Sequence, residues 1–380
     1  MYQPQGPSGT SPAFTEPIVP FSRLGYSFLK RSGRALALVF AAIVGLVLLH
    51  TSDLVLYLLN LVSPAKSLGR VVPPAFSPAK PPSPWSHPFA FVLCNIANVL
   101  GQKSSPAWLW DWSHWSGIGF QGEWGTIFTD ESVSRSPCPA LNALANCGAL
   151  PRDGRNITQQ QLSAAISRAY NLTPTLAIQL GLPFSVLFEG RGKIDLEDLS
   201  AQGLVQHDGS ATREDLNSPH AAATVAATQG RPSLRLIDLY WPASNQVNEY
   251  TWQNEAAILA HARRESRSRN GQFVLSPLAY VFSSGNVALM HIVCGGKLED
   301  LRAWLGGHDT LRGVEGFLPG FEPKARQAWG VSILQAQLFT ALVELTCGSL
   351  DDKPRALAHL DDIQARNGWN AMEGKTGDDA

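Results

Sequence analysis

The longest apolar run of the chain lies near its N-terminus, from Ala35 to Val62, and polar residues interrupt it only at positions 50–53 and at Asn60. About 20 predominantly apolar residues are enough for a helix to cross a bilayer. The apolar core of a secretory signal is shorter, about 7–15 residues. We therefore expect an uncleaved single-pass anchor at residues 34–62, which contacts the membrane through residues 35–62. Because Asp53 is costly in lipid, a hairpin that enters one leaflet and breaks at positions 50–53 is the alternative.

Helical spacing of apolar positions is common in the rest of the chain, whereas the alternation typical of strands is scarce. Thr158 and Gln161 have the spacing of a capping box at a helix start. The stretches 276–293 and 331–346 are apolar enough to be buried helices. The predicted fold class is therefore all-α, a single mainly helical domain preceded by an N-terminal membrane helix.

Composition divides the 380-residue chain into five segments. Residues 1–33 are rich in Pro, Gly and Ser and are predicted to be disordered. The anchor at 34–62 is followed by a proline-rich stretch, residues 63–88, that is typical of a stiff extended linker. We expect the helical domain at residues 89–350, followed by a polar C-terminal tail at residues 351–380.

The charge of the chain excludes one class of partner. Its formal net charge is −1, so it has no basic field that would attract nucleic acid, and no nucleic-acid partner is expected. Charged residues make up 16% of the sequence, below the roughly 25% that is usual in soluble domains. This deficit fits a chain of which part avoids water.

The flanks of the apolar run predict an orientation. The basic residues that precede the apolar run slightly outnumber those that follow it, which favours a cytosolic N-terminus. Asn156 and Asn171 each begin an Asn-x-Thr triplet, the acceptor pattern for glycosylation in a secretory compartment. We therefore expect a single-pass membrane protein whose domain is lumenal or extracellular.

Cys138 lies between two prolines, Pro137 and Pro139, directly before a run of strong helix formers. Proline lacks a backbone N–H and fits the first position of a helix, so Cys138 is predicted to occupy the cap. A sulfur at a helix N-terminus lies near unpaired N–H groups and the positive end of the dipole, and both lower the pKa of a thiol. This chemistry is compatible with a nucleophile, a metal or haem ligand, or a buried structural thiol.

Three blocks of sequence resemble the fungal haem-thiolate peroxidases, the family of chloroperoxidase and the unspecific peroxygenases. The most specific is SPCPALNALANCGALPRDGRNIT, residues 136–158, which is similar to the family's Pro-Cys-Pro motif, helix and Leu-Pro-Arg-Asp-Gly turn. Residues 195–216 resemble its Glu-His-Asp-x-Ser segment, and residues 262–290 more weakly resemble its distal helix region. These core motifs lie within residues 134–290.

The resemblance implies that Cys138 is the axial ligand to the iron of haem b. A thiolate ligand pushes electron density onto iron and favours cleavage of the O–O bond. The implied activity is that of a peroxidase or peroxygenase, which uses hydrogen peroxide to oxidise or oxygenate a small organic substrate, with fungal secondary metabolism as its setting. Cys147, where the family often has histidine, is expected to be a small core residue.

The second block corresponds to the family's cation site beside a haem propionate. The resemblance implies that Gln206, the backbone carbonyl of His207 and Ser210 bind Mg²⁺ or Mn²⁺, because hard cations prefer oxygen ligands. Gln206 is neutral where the family is usually anionic. A weak site and an ordinary loop are therefore the alternatives.

The distal side departs further from the family. Asn286 aligns with the family carboxylate that exchanges a proton with peroxide, and asparagine cannot shuttle a proton. His291, five residues further on, could take that role. We expect Glu249, Glu255 and Glu265 on solvated faces. The alternative to an enzyme is a non-catalytic haem-binding or scaffold member of the family.

Three further expectations concern tryptophan and cysteine residues. The run AWLWDWSHWSGIGFQGEW, residues 107–124, is predicted to lie at a membrane–water interface or to fold onto the domain as an aromatic patch. Cys294 and Cys347 are a candidate disulfide pair if the domain is lumenal, because long members of the family that the chain resembles have a C-terminal disulfide in a similar region; the sequence does not give the geometry. Cys94 is expected to be buried beside the membrane.

Overall fold

A computed structural model of the chain describes residues 21–65, 93, 95–96, 133–188, 190–200, 205–218, 230–243, 248–318, 321 and 323–350. The chain separates into two compact units, residues 1–44 and 45–380. Most of the predicted linker, the tryptophan run, Cys94 and the predicted C-terminal tail lie outside the described residues.

Helices make up the regular structure of the described residues, together with isolated β-bridges such as the one between Ile157 and Ile194. This confirms the all-α prediction. The α-helices whose bounds the described residues give are α1 Phe21–Val62, α2 Pro139–Asn146, α3 Gln159–Tyr170, α4 Pro174–Gly181, α5 Ser185–Phe188, α6 Leu234–Tyr240, α7 Trp252–Arg269, α8 Pro277–Cys294, α9 Leu298–Leu305 and α10 Ile333–Cys347. Short 3₁₀ turns occur at Leu182–Phe184, Leu196–Ser200 and Asp309–Leu311.

The start of α3 has the predicted capping box. The Thr158 hydroxyl accepts from the Gln161 N–H at 3.2 Å, and Oε1 of Gln161 accepts from the Thr158 N–H at 2.9 Å. Leu162 and Ile166 then lie on the buried face of the helix. The local sequence therefore fixes both where α3 begins and which face it packs.

Helices α7, α8 and α10 pack together around the buried guanidinium of Arg263. Its Nη1 lies 3.0 Å from Oε2 of Glu344 on α10, and its Nη2 donates to the hydroxyl of Ser283 on α8 at 2.6 Å. The guanidinium also lies over the ring of Tyr280. One buried cation thus joins three helices, since a buried charge requires several partners.

Helix α1 begins earlier than predicted and continues without a break. Residues 21–33, predicted to be disordered, are helical, because the last proline of this region is Pro20. The hairpin alternative is also wrong. His50 and Thr51 bond to carbonyl groups one turn earlier in the same helix, at 2.8 Å each, so these polar residues do not interrupt it.

The C-terminal half of α1 is part of the second unit. Asp53 is buried and accepts from the Thr175 hydroxyl at 2.6 Å and from the backbone N–H groups of Ile333 and Leu334 at 2.8 and 3.0 Å. It therefore caps the first turn of α10, whose N–H groups have no partner within the helix. Seven residues later, the Asn60 side chain donates to the carbonyl of Gly330 at 2.9 Å.

Two of the described helices are long and apolar enough to cross a membrane, Val39–Val62 within α1 and Pro277–Cys294, which is α8. Helix α8 packs against α7 and α10, as a core helix of a soluble domain does. In α1, by contrast, large apolar side chains such as Phe40 and Val47 are exposed. A membrane role for α1 stays a prediction.

The described cysteines are all free thiols, so the candidate pair Cys294 and Cys347 does not form a disulfide. The two residues belong to different core clusters. The sulfur of Cys347 instead donates to the carbonyl of Ala256 at 3.3 Å. Cys147 is buried, as expected of a core residue.

Candidate active site

The loop before Cys138 is tied to the helix that follows it. Cys138 caps α2 with extended backbone geometry, and Pro139 occupies the first position of the helix. Oδ1 of Asn142 accepts from the Ser136 N–H at 2.8 Å, and Nδ2 of Asn142 donates to the Ser136 carbonyl, also at 2.8 Å. The predicted cap position of Cys138 is confirmed, and one side chain of α2 fixes the loop that carries the sulfur.

The turn that follows α2 packs against the same loop. Gly154 has a positive φ of 68°, and a Cβ atom there would lie 2.0 Å from the carbonyl oxygen of Ser134. The Ser134 N–H donates to the Asp153 carbonyl at 2.8 Å. Nη1 of Arg152 donates to the carbonyl of Asn146, the last residue of α2, at 2.8 Å. The two halves of the first block therefore form one structure around the cysteine.

Burial dominates the electrostatics of the Cys138 thiol. The backbone N–H groups of Leu141 and Ala140 favour the thiolate, but loss of hydration is the larger effect, and the pKa of the thiol is raised above its usual value. The predicted lowering of this pKa is therefore wrong, because the sulfur lines a cavity rather than an open surface. A metal cation reverses this balance, since a coordinating thiol is deprotonated.

The cavity beside Cys138 is predominantly apolar. Its walls come from α2, α3, α7, α8 and α9 and from residues 205–213. Side chains such as Leu162, Phe184, Phe282 and Trp304 supply much of its surface. A concave apolar site with a few convergent polar groups is typical of a ligand or cofactor site.

The residues that the three blocks predicted converge on this cavity, with one exception. It is lined by Cys138, Gln206, His207, Ser210 and Asn286. The exception is His291, which does not line the cavity although it lies on α8 with Asn286. Nδ1 of His291 instead lies 3.2 Å from Oε2 of Glu255. The roles of these residues stay predictions, but their convergence is a finding.

Glu255 lies in the wall of this cavity, contrary to its predicted place on a solvated face. It is 1% exposed, and burial raises the pKa of its carboxyl to about 7 although His291 lowers it in part. Glu249 is exposed as predicted, and Glu265 is partly buried beside Arg269. The prediction of a solvated Glu255 was wrong because the residue lies among polar neighbours in the first turn of α7, whereas α8 packs over it in the fold.

A buried charged network adjoins the cysteine loop and had no signal in the sequence analysis. Arg213, which lines the cavity, forms an ion pair with Glu315, and both side chains are almost fully buried. Nδ2 of Asn142 donates to the same carboxylate at 3.1 Å. The network joins the second block to the helix of Cys138. Its two charged members lie about a hundred residues apart, so no local pattern could pair them.

The second block does not offer a divalent cation site in the described residues. Nε2 of Gln206 donates to the carbonyl of His207 at 3.4 Å, so an amide N–H occupies the oxygen that the cation would need. The Ser210 hydroxyl accepts from the N–H groups of Thr212 and Arg213 at 3.3 and 3.2 Å. The described chain also brings no three His, Cys, Asp or Glu side chains together as a metal site. These residues do not fit Mg²⁺ or Mn²⁺.

Comparison with known proteins assigns the chain to a family. Residues 127–326, more than half of the chain, match the family described as Peroxidase, family 2, so the chain belongs to this family. A chloroperoxidase of Leptoxyphium fumago is 34% identical over 111 residues. That match covers 26% of this chain and 30% of the chloroperoxidase, so less than a third of the relative's length is represented.

Proposed function

We propose that the protein is a haem-thiolate peroxidase or peroxygenase in which Cys138 is the axial ligand of haem b. The observation that carries the proposal is the position of Cys138, fixed at the N-terminus of α2 in the wall of an apolar cavity. Membership of the peroxidase family supports it. The substrates proposed are hydrogen peroxide and a small organic molecule, in fungal secondary metabolism.

The residues of the cavity fit a haem. Cys138 offers a sulfur ligand, and the apolar walls suit a large, mostly apolar macrocycle. When bound, the haem supplies the redox chemistry that splits peroxide and delivers oxygen to the substrate. The chain holds the iron, excludes bulk water and positions the proton-transfer groups.

We also propose that α1 anchors the protein in a membrane, with the peroxidase domain in the lumen or outside the cell. The apolar composition of α1 and its exposed side chains such as Phe40 and Val47, which precede the residues bonded to the domain, support an anchor. An anchored enzyme would meet apolar substrates dissolved in the lipid. The weak excess of basic residues before the anchor supports the orientation.

A second candidate function is a haem-binding or scaffold protein without turnover. One observation favours it: Asn286, at the position of the family's proton-transfer carboxylate, lines the cavity and carries no titratable group. A protein of this kind would bind haem through Cys138 and would not consume peroxide.

The test of ligation compares two cysteines of the same segment. The full chain is produced with Cys138→Ala and, separately, with Cys147→Ala, since Cys147 is buried but does not line the cavity. We expect the Cys138 variant to lose the thiolate-type spectrum of the reduced haem–CO complex and the Cys147 variant to keep it. A thiolate spectrum that survives in Cys138→Ala contradicts the ligand assignment.

Peroxide consumption then separates the two functions. With the thiolate spectrum established in the wild type, we expect bleaching or conversion of the haem band on mixing with hydrogen peroxide, and oxidation of a small aromatic test substrate. A haem-loaded protein that leaves peroxide unchanged would support the scaffold function.

A further inference from the structure

A carboxylate that lies outside the three sequence blocks lines the wall of the cavity. Glu255, on the first turn of α7, lines the cavity together with Cys138 and Asn286, and only 1% of its surface is exposed. Its Oε2 lies 3.2 Å from Nδ1 of His291. Neither of its carboxylate oxygens makes a hydrogen bond among the described residues. Such groups are rare in folded proteins and call for an explanation.

A structural role explains Glu255 poorly. The buried carboxylate of Glu315 has the partners expected of a structural group, namely an ion pair with Arg213 and a hydrogen bond from Asn142. Glu255 has one imidazole beside it, and neither of its oxygens makes a hydrogen bond among the described residues. Burying a carboxylate with so few partners costs stability. An acid that must exchange protons with a ligand in the cavity needs such an oxygen.

We propose that Glu255 is the acid–base group that handles the proton of peroxide in this cavity, and that His291 positions it from behind. The inference rests on the proposed peroxidase function. Glu255 would accept a proton from one oxygen of hydrogen peroxide and return it to the other, which leaves as water when the O–O bond breaks. The remaining oxygen passes to the substrate, so that HOOH and RH give ROH and H₂O.

The position of Asn286 is consistent with this transfer of role. Asn286 lines the same cavity from α8 but cannot carry a proton. A second helix, α7, supplies the carboxyl group instead. Because a general acid–base group needs reach rather than a fixed place in the sequence, the role can move between neighbouring helices.

The protonation of Glu255 supports a task near neutral pH. Burial raises its pKa to about 7, so the carboxyl loses its proton as the pH rises through that value and becomes a base. Two titratable groups of α8 interact with this carboxyl. His291 lowers the pKa of Glu255, and the charge of Glu255 raises the pKa of Cys294. The one charged residue of α10, Glu344, is already paired with Arg263. We therefore expect the peroxide reaction to speed up as the pH rises across about 7.

The test compares Glu255→Gln with Glu249→Gln, an exposed glutamate before the same helix. The thiolate spectrum is recorded first. Its absence in the wild type refutes the peroxidase proposal and, with it, the acid–base role of Glu255 in that reaction. With that spectrum intact, stopped-flow mixing with peroxide should be slower by about 10²-fold or more in Glu255→Gln and unchanged in Glu249→Gln. Equal rates and pH profiles in the wild type and Glu255→Gln overturn the proposal.

Two further variants keep the test decisive. In Glu255→Gln, adding Asn286→Glu should recover about tenfold of the lost rate, because it returns a carboxyl to the cavity from α8. In His291→Gln the pH profile should move to higher pH, because His291 lowers the pKa of Glu255. A lower rate with an unmoved profile would show that His291 has a structural role.

An infrared measurement tests the group without turnover. The protonated carboxyl of Glu255 should give a C=O band that disappears as the pH rises through about 7 and that is missing from Glu255→Gln. Should Glu255→Gln fail to fold, the band in the wild type and its shift in His291→Gln decide the matter. A band that does not titrate between pH 5 and about 9 overturns the proposal.

Discussion

At the scale of single residues, the site depends on close backbone approaches as much as on chemical groups. Gly154 is the clearest example, because two requirements apply to it. Its φ is positive, at 68°, and a Cβ atom there would overlap the carbonyl oxygen of Ser134. The loop that carries Cys138 therefore tolerates no side chain at its base. Glycine at this place in the motif is explained by geometry alone.

Gly154→Ala should destabilise the protein by about 3 kcal/mol or more, because backbone strain adds to a clash with main-chain atoms. Gly192→Ala is the matched control: φ is 72°, but a Cβ there meets nothing within 4 Å. The control should cost about 1–2 kcal/mol, the price of left-handed geometry alone. Urea unfolding measures both, and equal losses would contradict the clash.

At the scale of elements, α1 has two faces with different tasks. Along its C-terminal half, Leu49, Asp53 and Leu56 are buried, whereas Leu54 and Leu58 are exposed. The polar interruption in the sequence thus marks a docking face rather than a break. Asp53 joins α1 to the start of α10, and Asn60 adds a second pair of contacts at Trp329 and Gly330.

Asp53→Asn should lower the free energy of unfolding by about 2–3 kcal/mol, because hydrogen bonds to a charged acceptor contribute about 1.5–3 kcal/mol. The carboxylate accepts from backbone and hydroxyl donors, and the amide replaces one acceptor oxygen with a donor. Thr51→Ala is the control, since Thr51 is exposed and bonds within its own helix. Chemical denaturation in detergent gives both values, and a loss in Thr51→Ala as large as in Asp53→Asn would contradict the docking.

The sequence predicted some of these features and missed others. Local patterns sufficed for the helical class, for the capping box of α3 and for the cap position of Cys138, because these features depend on neighbours within a few residues. Glu255 was misplaced because its burial is decided by α8, and a charged residue is usually exposed. The docking of Asp53 was missed because its partners lie 280 residues away.

At the scale of the whole molecule, the two glycosylation triplets are not equivalent. Asn156 is exposed on a turn, whereas Asn171 is buried and its side chain donates to the carbonyls of Ala325 and Gln327 at 3.1 and 3.0 Å. The folded protein offers one of the two sites to a sugar. The triplets therefore test topology as well as fold.

If the domain is lumenal, a glycan should be attached at Asn156 and not at Asn171. Asn156→Gln should then abolish the mass shift that endoglycosidase removes, and Asn171→Gln should leave it in place. Electrophoresis of the protein from its eukaryotic host, with and without the glycosidase, measures this. A wild-type chain without glycan would argue for a cytosolic domain, and a glycan on Asn171 would argue against the packing of that loop.

The bond between Asp53 and the start of α10 also has a consequence for biosynthesis. It connects positions 280 residues apart, so it closes almost the whole second unit into a ring. Forming such a loop costs chain entropy, and distant contacts of this kind slow folding. During translation, Asp53 is synthesised long before α10. Until α10 is made, Asp53 lies in water or lipid without the N–H groups to which it bonds in the folded protein. A soluble version made by cutting after residue 62 would lose this closure, whereas a cut after residue 44 would keep it.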